Sequence, residues 1–186
     1  MNVLVIYASP NDDGLTAACS AAAMAGAREA GAEVEEVRLN DLDMGSCEAC
    51  GNGWGTCLAS HRCQVADDFQ MLHAKTCAAD AVILVTPVYW GEMSESAKAY
   101  TDRFRRCEAT CGDDSCVAGK PVLAVAAAGG SGGGMITCLA SMERWIHHTR
   151  AKVWDLLPVN RWSRAYKLVA IREAAKALVA AQATSV

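Results

Sequence analysis

Three stretches of this sequence are continuous runs of apolar residues about as long as one strand, at 3–9, 81–87 and 121–128. Such runs are typical of strands buried on both faces of a parallel sheet. Two further stretches predict edge strands. Residues 33–39 alternate apolar and charged positions, and residues 153–159 contain Pro158, which lacks the N–H that a central strand needs.

Stretches with helical character separate these five strands, at 14–30, 66–78, 93–106, 135–148 and 163–182. A chain in which strands and helices alternate in this way predicts a doubly wound parallel sheet, which is an α/β fold. We expect one domain over residues 1–186, with a long cysteine-rich loop at 40–64. Ligands in such folds bind beyond the carboxyl ends of the strands.

Composition narrows the classes of function. Apolar residues make up 52% of the 186 residues, which excludes an intrinsically disordered chain, and the net charge of −4 offers no basic surface for nucleic acid or an anionic membrane. No stretch approaches the ~18 consecutive apolar residues of a transmembrane helix. The first residues, MNVLVIYASPNDDG, lack the charged start of a signal peptide. We therefore expect a cytoplasmic protein with no nucleic-acid or membrane partner.

The loop after the first strand, SPNDDGLT, leads directly into a predicted helix. The free N–H groups and positive dipole end at the start of a helix favour an anion such as phosphate. Ser9, Asn11 and Thr16 add hydroxyl or amide donors, and Gly14 lets the backbone approach a ligand closely. The loop matches neither GxxxxGK[ST] nor GxGxxG. The alternative interpretation is an ordinary Asn or Asp helix cap.

Two other loops at the same predicted sheet edge are suited to a planar ligand. In TPVYWGEM, residues 86–93, an aromatic pair stands beside a glycine, and AAGGSGGG, residues 127–134, offers almost bare backbone. The respective alternatives are aromatics packed in the core or at a subunit interface, and a flexible surface turn. Three such loops on one sheet edge together favour a ligand site.

These residues resemble the flavodoxin-like NADPH-dependent FMN reductase family, particularly its branch that resembles iron–sulfur flavoproteins. The resemblance rests on ASPNDDGLT, on the cysteines followed by ADDF, on residues 78–103 and on the glycine loop, and it covers roughly residues 1–145. It implies a flavodoxin-like three-layer sandwich with a five-stranded parallel sheet in the order 2-1-3-4-5. It also implies a homodimer or homotetramer.

The resemblance implies a non-covalently bound FMN, with NAD(P)H as the electron donor. The FMN phosphate is expected at Ser9, Asn11, Gly14, Leu15 and Thr16. The isoalloxazine ring is expected at Pro87, Val88, Tyr89, Trp90, Gly91 and Met93, with Gly129, Gly130 and Gly134 on its other border. Asn11 stands where a basic residue is frequent in the family, which lowers the expected affinity for phosphate.

Four of the ten cysteines stand close together in CEACGNGWGTCLASHRC, as Cys47, Cys50, Cys57 and Cys63. Four nearby thiolates can hold one iron–sulfur cluster, and the resemblance implies a [4Fe-4S] cluster there. The compact C-x2-C-x2-C motif of iron–sulfur flavoproteins is interrupted here by GNGWGT. A zinc site, a redox Cys-x-x-Cys at residues 47–50, and no metal at all are open alternatives.

The remaining charged and cysteine side chains predict structural roles. A solvated helix face is expected for Arg103, Arg105 and Arg106, with contact to the phosphate of a nicotinamide cofactor as the alternative. A helix cap is expected for Asp67 and Asp68. Core positions on predicted helices are expected for Cys19, Cys77 and Cys138. No ligand motif matches Cys107, Cys111 and Cys116, for which we expect oxidation across a subunit contact or no role.

We expect an FMN-dependent oxidoreductase that passes hydride from NAD(P)H to the flavin and then to free flavin, a quinone or another small-molecule or protein acceptor. The flavin does the chemistry in such enzymes, so no protein residue is assigned as an acid, a base or a nucleophile. The first alternative is an iron–sulfur flavoprotein that carries electrons through a cluster on the four loop cysteines. The second is a non-enzymatic regulatory module that binds flavin or metal.

Overall fold

The computed structural model describes residues 1–183 of the chain. Its strands are β1 (Asn2–Tyr7), β2 (Glu33–Arg38), β3 (Ala81–Tyr89), β4 (Glu92–Met93), β5 (Pro121–Ala128) and β6 (Lys152–Asn160). Its helices are α1 (Leu15–Glu29), α2 (Cys50–Gly53), α3 (Thr56–Ala59), α4 (Phe69–Ala78), α5 (Glu95–Glu108), α6 (Met135–His148) and α7 (Arg164–Ala183). Short 3-10 turns lie at Leu39–Asp41 and Gly112–Asp114.

The five long strands form a parallel sheet in the order β2-β1-β3-β5-β6. This is the predicted 2-1-3-4-5 order when only long strands are counted, and the two predicted edge strands are the edges. The sequence did not predict β4, which pairs antiparallel with the end of β3 through Val88 and Tyr89. No helix among residues 1–183 is long and apolar enough to cross a membrane.

Alternate residues of the central strands feed two separate core layers, because successive strand side chains point to opposite faces. On one face Leu4, Ile6 and Leu84 pack beneath α4, α5 and α6. On the other face Val5 and Ile83 pack beneath α1 and α7. The result is the three-layer flavodoxin-like sandwich that the alternating pattern predicts.

Aromatic rings fill the layer beneath α4, α5 and α6. Tyr100 and Phe104 are fully buried on α5, with ring centroids 5.5 Å apart, and Trp145 of α6 lies 5.7 Å from Phe104. Phe69 completes the cluster at 6.4 Å from Tyr100. This packing orients α5, the helix whose arginines shape the candidate site described below.

The opposite layer depends on a close approach of α1 and α7. A side-chain carbon at Gly26 of α1 would lie 2.0 Å from the carbonyl oxygen of Arg172 in α7, so only glycine fits between the two helices. Cys19, Ala23 and Ala27 continue the same small-residue face of α1 and are buried. Small side chains therefore let the two helix backbones come together.

We predict that Gly26→Ala destabilises the protein, by about 2 kcal/mol, because overpacking against the α7 backbone outweighs the better helix propensity of alanine. Unfolding in urea measures this difference. Ala21→Gly at an exposed position of the same helix is the control, with an expected loss of about 1 kcal/mol from propensity alone. A Gly26→Ala variant more stable than the native protein would show that α7 yields at this contact.

Candidate functional site

The three loops singled out by the sequence meet at one edge of the sheet. They follow β1, β3 and β5, which are adjacent parallel strands and so end on the same side. Ser94 joins two of them, since its hydroxyl donates to the carbonyl of Ala8 at 2.9 Å while its N–H donates to the Thr86 hydroxyl at 3.1 Å. The loops are therefore held together by buried hydrogen bonds.

The loop after β1 leaves the start of α1 free of side-chain caps. Gly14 is the residue before the helix, with φ 100°, and no side chain bonds to the first-turn N–H groups. Ser9 and Thr16 are buried beside the loop, and the Ser9 hydroxyl accepts a bond from the Asn11 N–H at 3.3 Å. The alternative of an Asn or Asp cap is wrong for this helix, and its free N–H groups suit an anion.

Leu15 has a different environment from the other predicted phosphate residues. Its side chain packs partly buried against the core layer beneath α1 and α7. It therefore offers only its backbone N–H to a ligand. Asn11 is exposed, and its carbonyl accepts a hydrogen bond from the Tyr7 hydroxyl.

Arg38 is a basic residue beside this loop that the sequence analysis missed. It ends β2 opposite Tyr7 in the strand register, forms an ion pair with Asp12 of the loop and lies over the Tyr7 ring. It also approaches Asp41 at 3.6 Å. The position of Arg38 at the carboxyl end of an edge strand was the signal, but the register that brings it to the first loop is tertiary information.

The loop after β3 is a tight hairpin that carries an exposed tryptophan. Trp90 and Gly91, at φ 53° and 82°, are the two residues between β3 and β4. Two successive positive φ values match the primed turn that closes such hairpins, and a bulky residue there is uncommon. The Trp90 side chain is fully exposed and Tyr89 is partly exposed, so the core-packing alternative is wrong for this pair.

Other residues expected near the planar ring lie deeper. Pro87 and Met93 are buried and Val88 is half-buried. Met93 belongs to the core layer beneath α5 and also lines a groove with Tyr89 and Trp90. These side chains support the hairpin from below.

The glycine loop after β5 touches this hairpin directly. A side-chain carbon at Gly134 would lie 2.7 Å from the Cα of Gly91, and the Thr137 hydroxyl bonds to the carbonyls of both glycines at 2.7 and 3.0 Å. At Gly129 and Gly130 an added side-chain carbon would meet no atom within 4 Å. One end of the loop is thus clamped to the hairpin while the other presents open backbone.

A further aromatic residue reaches the glycine loop from the connection between β6 and α7. The Trp162 ring lies where a side chain at Gly132 would be, 2.4 Å from that carbon position, and Arg161 stacks on the ring at 4.4 Å. Trp162 is about two-thirds exposed. No local pattern in the sequence connects Trp162 to the glycines, so only the fold reveals this contact.

The four loop cysteines line one pocket. Two short helical segments, α2 and α3, carry or flank them, and two arginines of α5 complete the lining of the pocket. All four thiols are free and half-buried. We call this site the cysteine pocket, and its lining includes Cys47, Cys50, Cys57, Cys63, Arg103 and Arg106.

Arg103 is buried, which corrects the expectation that it lies on a solvated helix face. Its side chain is 1% exposed and forms a two-pronged ion pair with Asp67 at 2.5 and 2.8 Å. It also donates to the Gly45 carbonyl at 3.0 Å and to the Cys63 sulfur at 3.3 Å. Within the described residues its Nε is buried without a hydrogen-bond partner. Tertiary packing of the cysteine loop over α5 excludes water from this arginine.

The charges of this pair are stabilised in the fold. Burial by itself would raise the pKa of the Asp67 carboxyl, but hydrogen bonds from Arg103 and from the N–H groups of Phe69 and Gly45 outweigh burial and lower that pKa. Asp67 thus accepts the expected bond at the start of α4 besides its ion pair. The expected cap is wrong for Asp68, which accepts from the Asp43 N–H at 2.8 Å instead.

Arg106 also faces the cysteine loop. It stacks over the Trp54 ring at 4.9 Å and donates to the Gly53 carbonyl. Arg105 is the one arginine of the three without such a contact to the loop among the described residues. Two positive charges therefore face the pocket that the four thiols line.

The cysteine pocket adjoins the aromatic hairpin. Cys47 lines both the pocket and the groove that contains Tyr89, Trp90 and Met93. A group bound among the four cysteines would share a wall with the loop expected to contact a planar ring. The cysteine loop follows β2 of the parallel sheet and so begins at the same edge as the hairpin, and the structure makes the two features neighbours.

The cysteines outside the loop are of three kinds: the buried free thiols of Cys19, Cys107 and Cys138, the half-buried free thiol of Cys111, and one disulfide pair. Cys19 and Cys138 are buried, as expected, and burial raises the pKa of each thiol to about 12. Cys77 is not core filler, because it forms a disulfide with Cys116. Both cysteines belong to the same chain, so the expectation of oxidation across a subunit contact or of no role is wrong for Cys116. That bond joins the last turn of α4 to the segment after α5, 39 residues away, and no sequence spacing indicated it.

Fold and geometry together define a flavodoxin-like α/β protein in which three loops meet at the carboxyl edge of the sheet beside a pocket lined by four thiols. The chain belongs to the NADPH-dependent FMN reductase family, whose family model matches residues 1–155. An iron–sulfur flavoprotein from Methanosarcina thermophila is 30% identical over 129 residues, which cover 68% of this chain and 62% of that protein. The chain thus spans less than two thirds of the length of that relative.

Solved structures share the fold at lower sequence identity. A flavone reductase superposes with a TM-score of 0.72 at 18% identity, over 97% of this chain and 62% of that one. An NAD(P)H:quinone oxidoreductase from Methanothermobacter marburgensis superposes with a TM-score of 0.71 at 19% identity, over 96% of both chains. These likenesses establish the flavodoxin-like fold.

We predict that Arg103→Met destabilises the protein by about 3 kcal/mol, because it leaves the Asp67 carboxylate partly buried without its partner. Denaturant unfolding measures the change. Arg105→Met, two residues along the same helix, is the matched control and is expected to stay within about 0.5 kcal/mol of the native protein. Equal effects of the two substitutions would contradict a special role for the Arg103 ion pair.

Proposed function

We propose that this protein is an FMN-dependent oxidoreductase that takes electrons from NAD(P)H and passes them to free flavin, a quinone or another acceptor. The observation that carries the proposal is the contact between Gly91 and Gly134 at the carboxyl edge of the sheet. This contact places glycine backbone beside the exposed aromatic hairpin. The uncapped start of α1 lies at the same edge of the sheet. The family match to residues 1–155 supports the same activity.

The residues at this edge fit the parts of FMN. The N–H groups at the start of α1, with the hydroxyls of Ser9 and Thr16, would hold the phosphate. The open backbone at Gly129 and Gly130 leaves room for a flat ring beside Trp90. Bound FMN supplies the hydride and electron chemistry, and the protein supplies position and electrostatics.

The protein's own contribution is rigidity and shape. The Thr137 hydroxyl holds the hairpin and the glycine loop at a constant separation, and Ser94 ties the hairpin to the end of β1. Trp90 presents its whole ring to a ligand or a neighbouring molecule, which supports a site near a subunit interface. We assign no protein acid, base or nucleophile. A homodimer or homotetramer and a cytoplasmic location stay predictions from the sequence.

Separate observations support a second function, electron transfer by an iron–sulfur flavoprotein. Four free thiols line one pocket that also contains two arginines, and the Nε of Arg103 has no hydrogen-bond partner among residues 1–183. Thiolate ligands bring negative charge that these guanidinium groups would offset. A [4Fe-4S] cluster held there would exchange single electrons, and Cys47 connects the pocket to the aromatic hairpin.

We predict that protein purified without air takes up FMN and that NADPH or NADH then bleaches the flavin absorption.

Thr16→Val removes one hydroxyl donor to a charged phosphate, so we expect the dissociation constant for FMN to rise about tenfold to a hundredfold. Fluorescence quenching of FMN measures the affinity. Thr110→Val, at an exposed position beyond α5, is the control and should bind FMN normally.

Two outcomes would count against this proposal. A folded protein that fails to bind FMN would contradict the oxidoreductase proposal and favour the hypothesis of a non-enzymatic regulatory module. Equal FMN affinity of the native protein and Thr16→Val would show that the Thr16 hydroxyl does not bind the phosphate. The rest of the proposal would still hold.

We predict that Cys57→Ser abolishes binding of iron and acid-labile sulfide after anaerobic reconstitution but leaves FMN binding unchanged. The cysteine pocket then lacks one of four thiolates, whereas the FMN edge is intact. Cys111→Ser, a half-buried thiol outside the pocket, is the control and should keep both iron and sulfide. Native protein that retains neither element would overturn the cluster.

A further inference from the structure

A second group of metal-ligand side chains lies outside the cysteine pocket. It consists of His73 and Cys77 on α4, Glu108 at the end of α5, and Cys116 after it. One ligand atom from each lies within 4.8 Å of all the others. We propose that this group, hereafter the α4–α5 site, binds Zn²⁺ once the Cys77–Cys116 disulfide is reduced.

Helix geometry brings the first two ligands together. His73 and Cys77 are four residues apart on α4, so their side chains lie on one face of the helix. The Cys77 sulfur is 3.9 Å from each ring nitrogen of His73. A histidine and a cysteine at this spacing can share one ion without moving the backbone.

Glu108 is oriented toward the same point. Its carboxylate is 4% exposed, and one oxygen accepts bonds from the Cys116 N–H at 2.8 Å and the Ser115 hydroxyl at 2.9 Å. The other oxygen faces His73 Nε2 at 2.7 Å. Such hydrogen bonds fix the orientation of a metal-binding carboxylate. The buried carboxylate is thus positioned before any ion arrives.

The ligand chemistry selects a thiophilic cation. Two thiolates, one imidazole and one carboxylate are all common zinc ligands, and four of them complete a tetrahedral site. Three negative ligands exceed the two charges of the ion by one. Lys120, whose ammonium donates to the Cys77 carbonyl at 2.6 Å, supplies a positive charge beside the site.

The disulfide decides whether the site exists. A dithiol reductant supplies two electrons and two protons, the bond between the Cys77 and Cys116 sulfurs breaks, and the reductant becomes a disulfide. Zn²⁺ then displaces the two protons and forms two Zn–S bonds. Coordination to the metal would then replace the disulfide bond. The connection between α4 and the segment after α5 would therefore persist in both redox states.

The α4–α5 site is open to reagents and separate from the cysteine pocket. Its four residues line a surface groove together with Cys111, which contributes nothing to the group of four. Cys63 lines both this groove and the cysteine pocket, which makes the two sites neighbours. The proposal does not depend on FMN binding or on an iron–sulfur cluster.

Alkylation of individual cysteines tests the proposal on the full chain. The protein is first reduced with a phosphine. The phosphine and one water molecule convert the disulfide into two thiols, and the phosphine becomes the phosphine oxide. The reduced protein is then alkylated with or without Zn²⁺. Mass spectrometry reports each cysteine separately. At a Zn²⁺ concentration about ten times the dissociation constant, we expect alkylation of Cys77 and Cys116 to slow about tenfold. Cys111 in the same groove should react equally fast in both samples.

Variants separate a metal site from two thiols that merely lie close together. His73→Ala should abolish the protection of Cys77 and Cys116, and Glu108→Gln should weaken it. Protection of the four loop cysteines is read from their own peptides and does not bear on this site. Equal alkylation of Cys77 and Cys116 with and without Zn²⁺ in the native protein would overturn the proposal, as would full protection in His73→Ala.

Discussion

The buried ion pair between Arg103 and Asp67 is the contact on which the candidate site depends. It joins α5 to the segment that follows the cysteine loop, and the same guanidinium bonds to the Gly45 carbonyl and the Cys63 sulfur. A charge removed from water in this way is stable only when its partners are held in place. The pair therefore fixes the loop against the helix, and with it the pocket that the four thiols line.

The second constraint is a close approach of backbone to backbone at the sheet edge. Gly91 and Gly134 touch at a distance that a side chain on Gly134 would prevent, and Thr137 bonds to both carbonyls. The aromatic hairpin and the glycine loop consequently act as one rigid border. Cys47 lies at the junction between this border and the thiol pocket. The proposed FMN site and the thiol pocket therefore share a wall, which is the arrangement that electron exchange between two bound redox groups would need.

Two parts of the chain use cysteine differently. The loop cysteines are free and surround a pocket, whereas Cys77 and Cys116 are bonded to each other beside His73 and Glu108. Arginines face the loop thiols, while a carboxylate and an imidazole face the disulfide.

The pattern of apolar and polar residues was sufficient to predict the five long strands and the long helices between them, because side-chain burial repeats with the period of each element. The short helices α2 and α3 lie in the stretch predicted as a loop. Glycines and aromatics at the strand ends indicated three loops that the structure brings to one edge of the sheet. The sequence could not show that Arg103 is buried, that Arg38 reaches the first loop, or that Cys77 meets Cys116. Each of these depends on contacts between residues far apart in the chain, whose distances only the packing of α4, α5 and the cysteine loop against the sheet decides.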